Sequence, residues 1–116
     1  MLVEDEESVR RLIASILGMQ AYRVLEAGHG EEALAISEDF GGDIHLLVTD
    51  IMMPIMNGQE LATRLSALRP RMPVLFISGY PGKHVPPTLD QNAQVDYLAK
   101  PFRVDILLDK VKALLR

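Results

Sequence analysis

Two runs in this chain, Ile44-His45-Leu46-Leu47-Val48-Thr49 and Val74-Leu75-Phe76-Ile77, are apolar at nearly every position. They lack the polar alternation of a strand with one wet face. A strand reads this way when both faces are covered, as in a parallel sheet held between helices. Around these runs the period changes to that of helices. Val9, Leu12, Ile13, Ile16 and Leu17 recur at i, i+3, i+4, i+7 and i+8, with Gly18 near the segment's end. Glu31 and Glu32 suit the positive end of a second helix running through Phe40, with Ala33, Ile36 and Phe40 inward. Leu61, Leu65 and Leu68 define a third helix, and Val104, Leu107, Leu108, Val111, Leu114 and Leu115 a closing one.

Three further strands are shorter signals: Leu2-Val3, Tyr22-Arg23-Val24-Leu25 and Val95 to Ala99. Gly28-His29-Gly30, Gly41-Gly42-Asp43 and the loop holding Pro54 and Asn57-Gly58 mark turns. Between Tyr80 and Gln94, Pro81, Gly82, Pro86 and Pro87 leave a fourth helix short or irregular, because proline removes donors and clashes with the preceding turn. Five strands alternating with helices predict an α/β fold: one domain over residues 1–116, built on a doubly wound parallel sheet with helices on both faces. At 116 residues and 48% hydrophobic, the chain can bury a core without a disulfide or metal staple. Met1-Leu2-Val3 is short against the usual five or six residues of a strand, so the first strand is expected to be truncated and the chain cut from a longer protein.

Charge and composition exclude several functions. Twelve basic against sixteen acidic side chains give a net of −4, which argues against direct nucleic-acid binding. There is no cysteine, hence no disulfide, thiolate zinc site or cysteine nucleophile. No apolar run reaches the roughly eighteen residues of a membrane span, and no signal segment opens the chain. The expected location is therefore cytoplasmic, with no membrane contact by this domain.

In open α/β sheets the working crevice lies outside the carboxyl ends of the strands. Those ends carry Glu4-Asp5, Asp50, Ser78, and Lys100 followed by Pro101. Three carboxylates in one place repel each other unless a cation intervenes, and Mg²⁺ suits oxygen ligands of this kind. Lys100 can pair with a phosphoryl oxygen and Ser78 can donate to another. Asp50, in a loop after a buried strand, is the candidate nucleophile for phosphoryl transfer. Read singly, each residue has a plainer role: Glu4-Asp5 as helix N-terminal charge, Asp50 as a turn residue, Ser78 as a helix cap, Tyr97 as strand packing. None of these explains Lys100-Pro101. Glu6 and Glu7 read as solvated, and His29, His45 and His84 lack ligand spacing.

These fragments, in this order, resemble the receiver domain of bacterial two-component response regulators. The resemblance covers the whole chain. It is carried by Glu4-Asp5, by Val48-Thr49-Asp50-Ile51-Met52-Met53-Pro54 with Asn57-Gly58, by Ile77-Ser78-Gly79 and by Tyr97-Leu98-Ala99-Lys100-Pro101-Phe102. It implies the flavodoxin-like strand order 2-1-3-4-5. It also implies that Asp50 accepts a phosphoryl group from a phosphohistidine on a histidine kinase or histidine phosphotransfer domain. Mg²⁺ would then be bound by Glu4, Asp5, Asp50 and the backbone carbonyl of Met52. Ser78 and Lys100 would contact phosphoryl oxygens, Tyr97 would be the switch aromatic, and the Lys100-Pro101 bond would be cis. Met52 and Tyr80 stand where the family tunes the lifetime of the aspartyl phosphate, and their bulk predicts slow self-dephosphorylation. Ile77-Ser78-Gly79-Tyr80-Pro81 and Lys100-Pro101-Phe102 look similar to receivers of hybrid histidine kinases. Homodimerisation is compatible with this reading.

Three alternatives differ in kind. A degenerate receiver would serve only for dimerisation or docking, which the intact set of polar residues speaks against. An aspartyl phosphatase of the haloacid-dehalogenase type needs a second acid two residues after its nucleophile, where this chain has Met52. Flavin binding is disfavoured by the acidic first βα loop.

Overall fold

In the computed structural model, which describes residues 1–79 and 94–115, the strand Val74–Ser78 has no exposed residue. Its side chains divide between two cores. Val74 and Phe76 pack with Leu61, Ala62 and Leu65 on one side, and Leu75 and Ile77 pack with Ile13, Leu17, Leu107 and Val111 on the other. The apolar run is thus a strand covered on both faces, because successive side chains point to opposite sides of the pleat.

The elements follow in the order β1 (Leu2–Val3), α1 (Glu7–Met19), β2 (Glu26–Ala27), α2 (Gly30–Asp39), β3 (Leu47–Asp50), α3 (Gly58–Leu68), β4 (Val74–Ser78), β5 (Val95–Ala99) and α4 (Val104–Leu114). All strands are parallel, in the order β2-β1-β3-β4-β5. Helices α2 and α3 cover one face and α1 and α4 the other. The expected irregularity between Tyr80 and Gln94 lies, up to residue 93, outside the described residues.

Several boundaries move from their expected places. The second strand is Glu26–Ala27 rather than Tyr22–Leu25, and the third begins at Leu47 rather than Ile44. Among the described residues β2 is an edge strand with β1 as its only neighbour, so it extends only as far as Leu2 and Val3 can pair, with Glu26 and Ala27. Leu12 and Leu68 are exposed, at 57% and 68%. The buried stripe of α1 centres on Ile13 and Leu17, and that of α3 lies between Leu61/Leu65 and Ala62/Ser66. At 100° per residue Leu12 falls roughly a quarter-turn outside its stripe, whereas Leu68 lies about 20° past Leu61, at the edge of its stripe and in the last position of α3.

Helix α1 ends in a Schellman arrangement, with Tyr22 N–H donating to the Leu17 carbonyl at 3.3 Å and Ala21 N–H to that of Gly18 at 3.0 Å. The left-handed position in this cap belongs to Ala21 (φ 66°), not to Gly18. His29 caps α2: its Nδ1 accepts from Glu32 N–H at 3.2 Å, while a Glu32 carboxylate oxygen accepts from Gly28 N–H at 2.9 Å. Histidine thus takes the N-cap role usual for Ser or Thr, while the Glu32 carboxylate reaches one residue beyond the N-cap N–H that a capping box would use.

Candidate functional site

Parallel pairing aligns the strand ends. Val3 is opposite Thr49, Asp50 opposite Ile77, and Ser78 opposite Ala99. The last residues of β3 and β4, Asp50 and Ser78, and the residues that follow β1 and β5, Glu4 and Lys100, therefore emerge at one edge of the sheet. Glu4, Asp5 and Asp50 bring carboxylate oxygens to within 4.8 Å of one another. Glu4 and Asp50 are buried and Asp5 is exposed.

Lys100 reaches into this group from the end of β5. Its Nζ lies 2.9 Å from Asp50 Oδ2 and 3.4 Å from Glu4 Oε2. Its own N–H donates to the Ser78 carbonyl at 2.8 Å, which fixes the start of the side chain against β4. The other Asp50 oxygen, Oδ1, accepts from Met52 N–H at 3.2 Å. Both Asp50 oxygens are thus oriented, one by a backbone donor and one by a cation.

The charges are poorly balanced in the absence of a metal. Burial, and then the repulsion of Asp50, push the Glu4 carboxyl up to about 7. For Lys100, burial acts to lower the ammonium's pKa, but the hydrogen bond and charge of Asp50, with those of Glu4, outweigh it and hold the group above its ordinary value. Three carboxylates and one ammonium leave a deficit of positive charge. An all-oxygen donor set of this kind fits a hard divalent cation such as Mg²⁺.

The remaining site residues are placed as follows. Ser78 is buried at the carboxyl end of β4, one residue beyond the partner of Asp50. Tyr97 stacks on Phe76 with ring centroids 5.4 Å apart, and its hydroxyl is buried with no hydrogen-bond partner among the described residues. The Lys100–Pro101 peptide is cis. The Met52 side chain is exposed. Tyr80 and His84 lie outside the described residues.

Three residues matter here that the sequence reading passed over or left as punctuation. Gly58 opens α3 directly against β3: its N–H donates to the Ile51 carbonyl at 2.9 Å, and a Cβ at this position would collide with the Asp50 carbonyl oxygen. Asn57 caps the same helix, accepting from Glu60 N–H at 2.8 Å. Arg10, on α1, sends Nη1 to the Glu4 carbonyl at 3.1 Å. An arginine six residues after Glu4 is the only hint in the sequence, and it resembles any solvated helix charge.

Known proteins share this fold. A family model described as the response regulator receiver domain matches residues 1–112. The sensor kinase CckA of Brucella abortus (strain 2308) is 37% identical over 115 residues, which is 99% of this chain and 12% of that protein. The response regulator receiver protein CpdR of the same organism is 30% identical, over 99% of this chain and 94% of its own length. The crystal structure of the receiver domain from the hybrid histidine kinase CckA superposes with a TM-score of 0.84 at 38% identity, covering 99% of this chain and 96% of that one.

Proposed function

The chain belongs to the response regulator receiver domain family, whose work is phosphorelay signalling, and from that premise we propose that Asp50 is its phosphoacceptor. One observation carries the reading. The Lys100 ammonium stands 2.9 Å from Asp50 Oδ2, inside a group of three carboxylates with the chemistry of a divalent-cation site.

Receivers of this family work with histidine kinases or phosphotransfer proteins, so the donor is a phosphohistidine. An Asp50 carboxylate oxygen attacks the phosphorus in line with the leaving imidazole. The new O–P bond forms as the P–N bond breaks, and the ring departs neutral, its proton balance made up from solvent. Lys100 pairs with the phosphoryl oxygens as their charge moves onto Asp50, and the Ser78 hydroxyl donates to another of them. Glu4, Asp5, Asp50 and the Met52 carbonyl would hold Mg²⁺, which supplies the positive charge that lets the anionic phosphoryl group approach an anionic nucleophile. Most of the catalysis is positioning and neutralisation, which suits a site of fixed strand ends.

The reporting step runs through Ser78 and Tyr97. Drawing the Ser78 hydroxyl toward the phosphoryl group changes the space beside β5, where the Tyr97 ring rests on Phe76 with its hydroxyl unpaired among the described residues. Met52 and Tyr80 would govern access of water to the acyl phosphate. Residues 1–116 act as one receiver unit, and the likeness to CckA suggests the receiver of a hybrid histidine kinase. The chain spans only 12% of that kinase. No helix among the described residues is long and apolar enough to cross a membrane.

Intact mass measurement after incubation with acetyl phosphate and Mg²⁺ tests the proposal. One phosphoryl adduct is expected on the wild type and none on Asp50→Asn. No adduct on the wild type, or an equal one on the variant, overturns it.

A further inference from the structure

We propose that Arg10 is a positioning residue for the acidic pocket, holding the Glu4–Asp5 peptide in the place where both carboxylates can share one cation. The inference rests on the metal-site reading above and goes beyond the residues that would touch the ion.

Asp5 is exposed, so where its carboxylate points depends on the backbone that carries it. That backbone is held from two sides. Glu4 N–H donates to the Ala27 carbonyl at 3.1 Å, and the Glu4 carbonyl accepts from Arg10 Nη1 at 3.1 Å. The stretch after it is tied at Glu6, whose N–H donates to Glu4 Oε1 at 3.3 Å and whose carboxylate accepts from Ser8 Oγ at 3.3 Å. The guanidinium adds the link that ties the Glu4–Asp5 peptide itself to α1.

Arg10 is itself fixed by β2 and the turn after it. Its Nε lies 3.5 Å from Glu26 Oε1, and the arginine side chain is only 18% exposed. The turn backbone comes close as well: a Cβ on Gly28 would stand 3.1 Å from Nη1, a contact the guanidinium could accommodate by giving a few tenths of an ångström. A planar fork can serve the Glu4 carbonyl and the Glu26 carboxylate together, whereas a lysine ammonium at the end of a flexible stem cannot hold both.

Two physical effects of Arg10 on a cation oppose each other. Its charge repels the ion, and its hydrogen bond places the ligands. Glu26 offsets the charge, and partners one step removed from a metal's ligands alter affinity by about ten- to a hundredfold. Positioning therefore wins, and the two effects predict opposite signs.

Calorimetric titration of the whole chain with MgCl₂ alone decides between them, with folding of each variant checked by circular dichroism. Arg10→Gln is expected to weaken Mg²⁺ binding roughly tenfold. Arg10→Lys should fall with it, although the charge is kept. Binding by Arg10→Gln that equals or exceeds the wild type, or full recovery by Arg10→Lys, overturns the positioning role while leaving the metal site standing. No Mg²⁺ binding by the wild type overturns the metal site and this inference with it.

Discussion

Lys100 Nζ lies 2.9 Å from Asp50 Oδ2 across a sequence separation of 50 residues. The contact joins the ends of β3 and β5, strands that do not pair with each other and are both neighbours of β4. It sets one cation between two buried carboxylates, because the same ammonium lies 3.4 Å from Glu4 Oε2.

Replacing Lys100 by methionine leaves those carboxylates facing each other, and uptake of a proton by Glu4 limits the cost. The metal-free protein should lose about 2 kcal/mol of stability, near the penalty for a buried group deprived of its partner. Saturating Mg²⁺ should close most of the gap, since it restores positive charge. Urea midpoints with and without Mg²⁺ measure both effects. A gap that Mg²⁺ leaves unchanged would sink the view that Lys100 and a divalent cation neutralise the same charges.

Gly58 is constrained by space rather than by dihedral angle. A methyl group there meets backbone, the Asp50 carbonyl and the Ile51 Cα, and neither can swing away as a side chain would. Gly58→Ala should cost about 2–3 kcal/mol, in the range of overpacked cores, and should slow phosphorylation by acetyl phosphate as Asp50 shifts. Gly41→Ala is the control: nothing lies within 4 Å of its Cβ, and its effect should stay within about 0.5 kcal/mol. Equal effects in chemical denaturation would remove the steric account.

The parts of this architecture that announce themselves do so for physical reasons. Val74 to Ile77 must be apolar on both faces because helices cover both, and Asp50, Ser78 and Lys100 stand out because each breaks or follows such a run. The length of β2 is not legible in Tyr22–Leu25, because an edge strand is limited by its neighbour and not by its own propensity. Arg10 is invisible for another reason. Its partners, Glu4, Glu26 and Gly28, come together only when β1 and β2 pair. Leu12 shows a third limit: i, i+3 spacing admits a residue that the observed stripe of α1 leaves in water.

Ile55 has φ 71° and is 95% exposed, and Ala21 has φ 66° at the end of α1. Left-handed backbone costs a residue with a side chain about 1–2 kcal/mol, while glycine gives back about 0.5–1 kcal/mol through the entropy of the unfolded chain. Ile55→Gly and Ala21→Gly should therefore each stabilise by roughly 0.5–1 kcal/mol. The double variant should approach the sum, since the two lie in different loops. Thermal or urea unfolding that shows a loss for either would mean that the side chain makes a contact worth more than the strain.

Glu4 makes the metal-free protein sensitive to pH. Burial, with Asp50 beside it, raises this carboxyl from 4.5 to about 7. A group raised on folding contributes stability that is fully present below its unfolded value and is lost as pH climbs through its folded value. Without divalent metal, the wild type should therefore lose stability relative to Glu4→Gln as pH rises from about 4.5 to about 7. One proton sets a ceiling of about 1.4 kcal/mol per pH unit on that slope. Saturating Mg²⁺ should flatten the difference, because the cation favours the ionised carboxylate that low pH removes. Urea titrations of both proteins across this window, in EDTA and in Mg²⁺, test the coupling. Parallel stability curves for wild type and Glu4→Gln in EDTA would show that Glu4 is not held in a pocket short of positive charge.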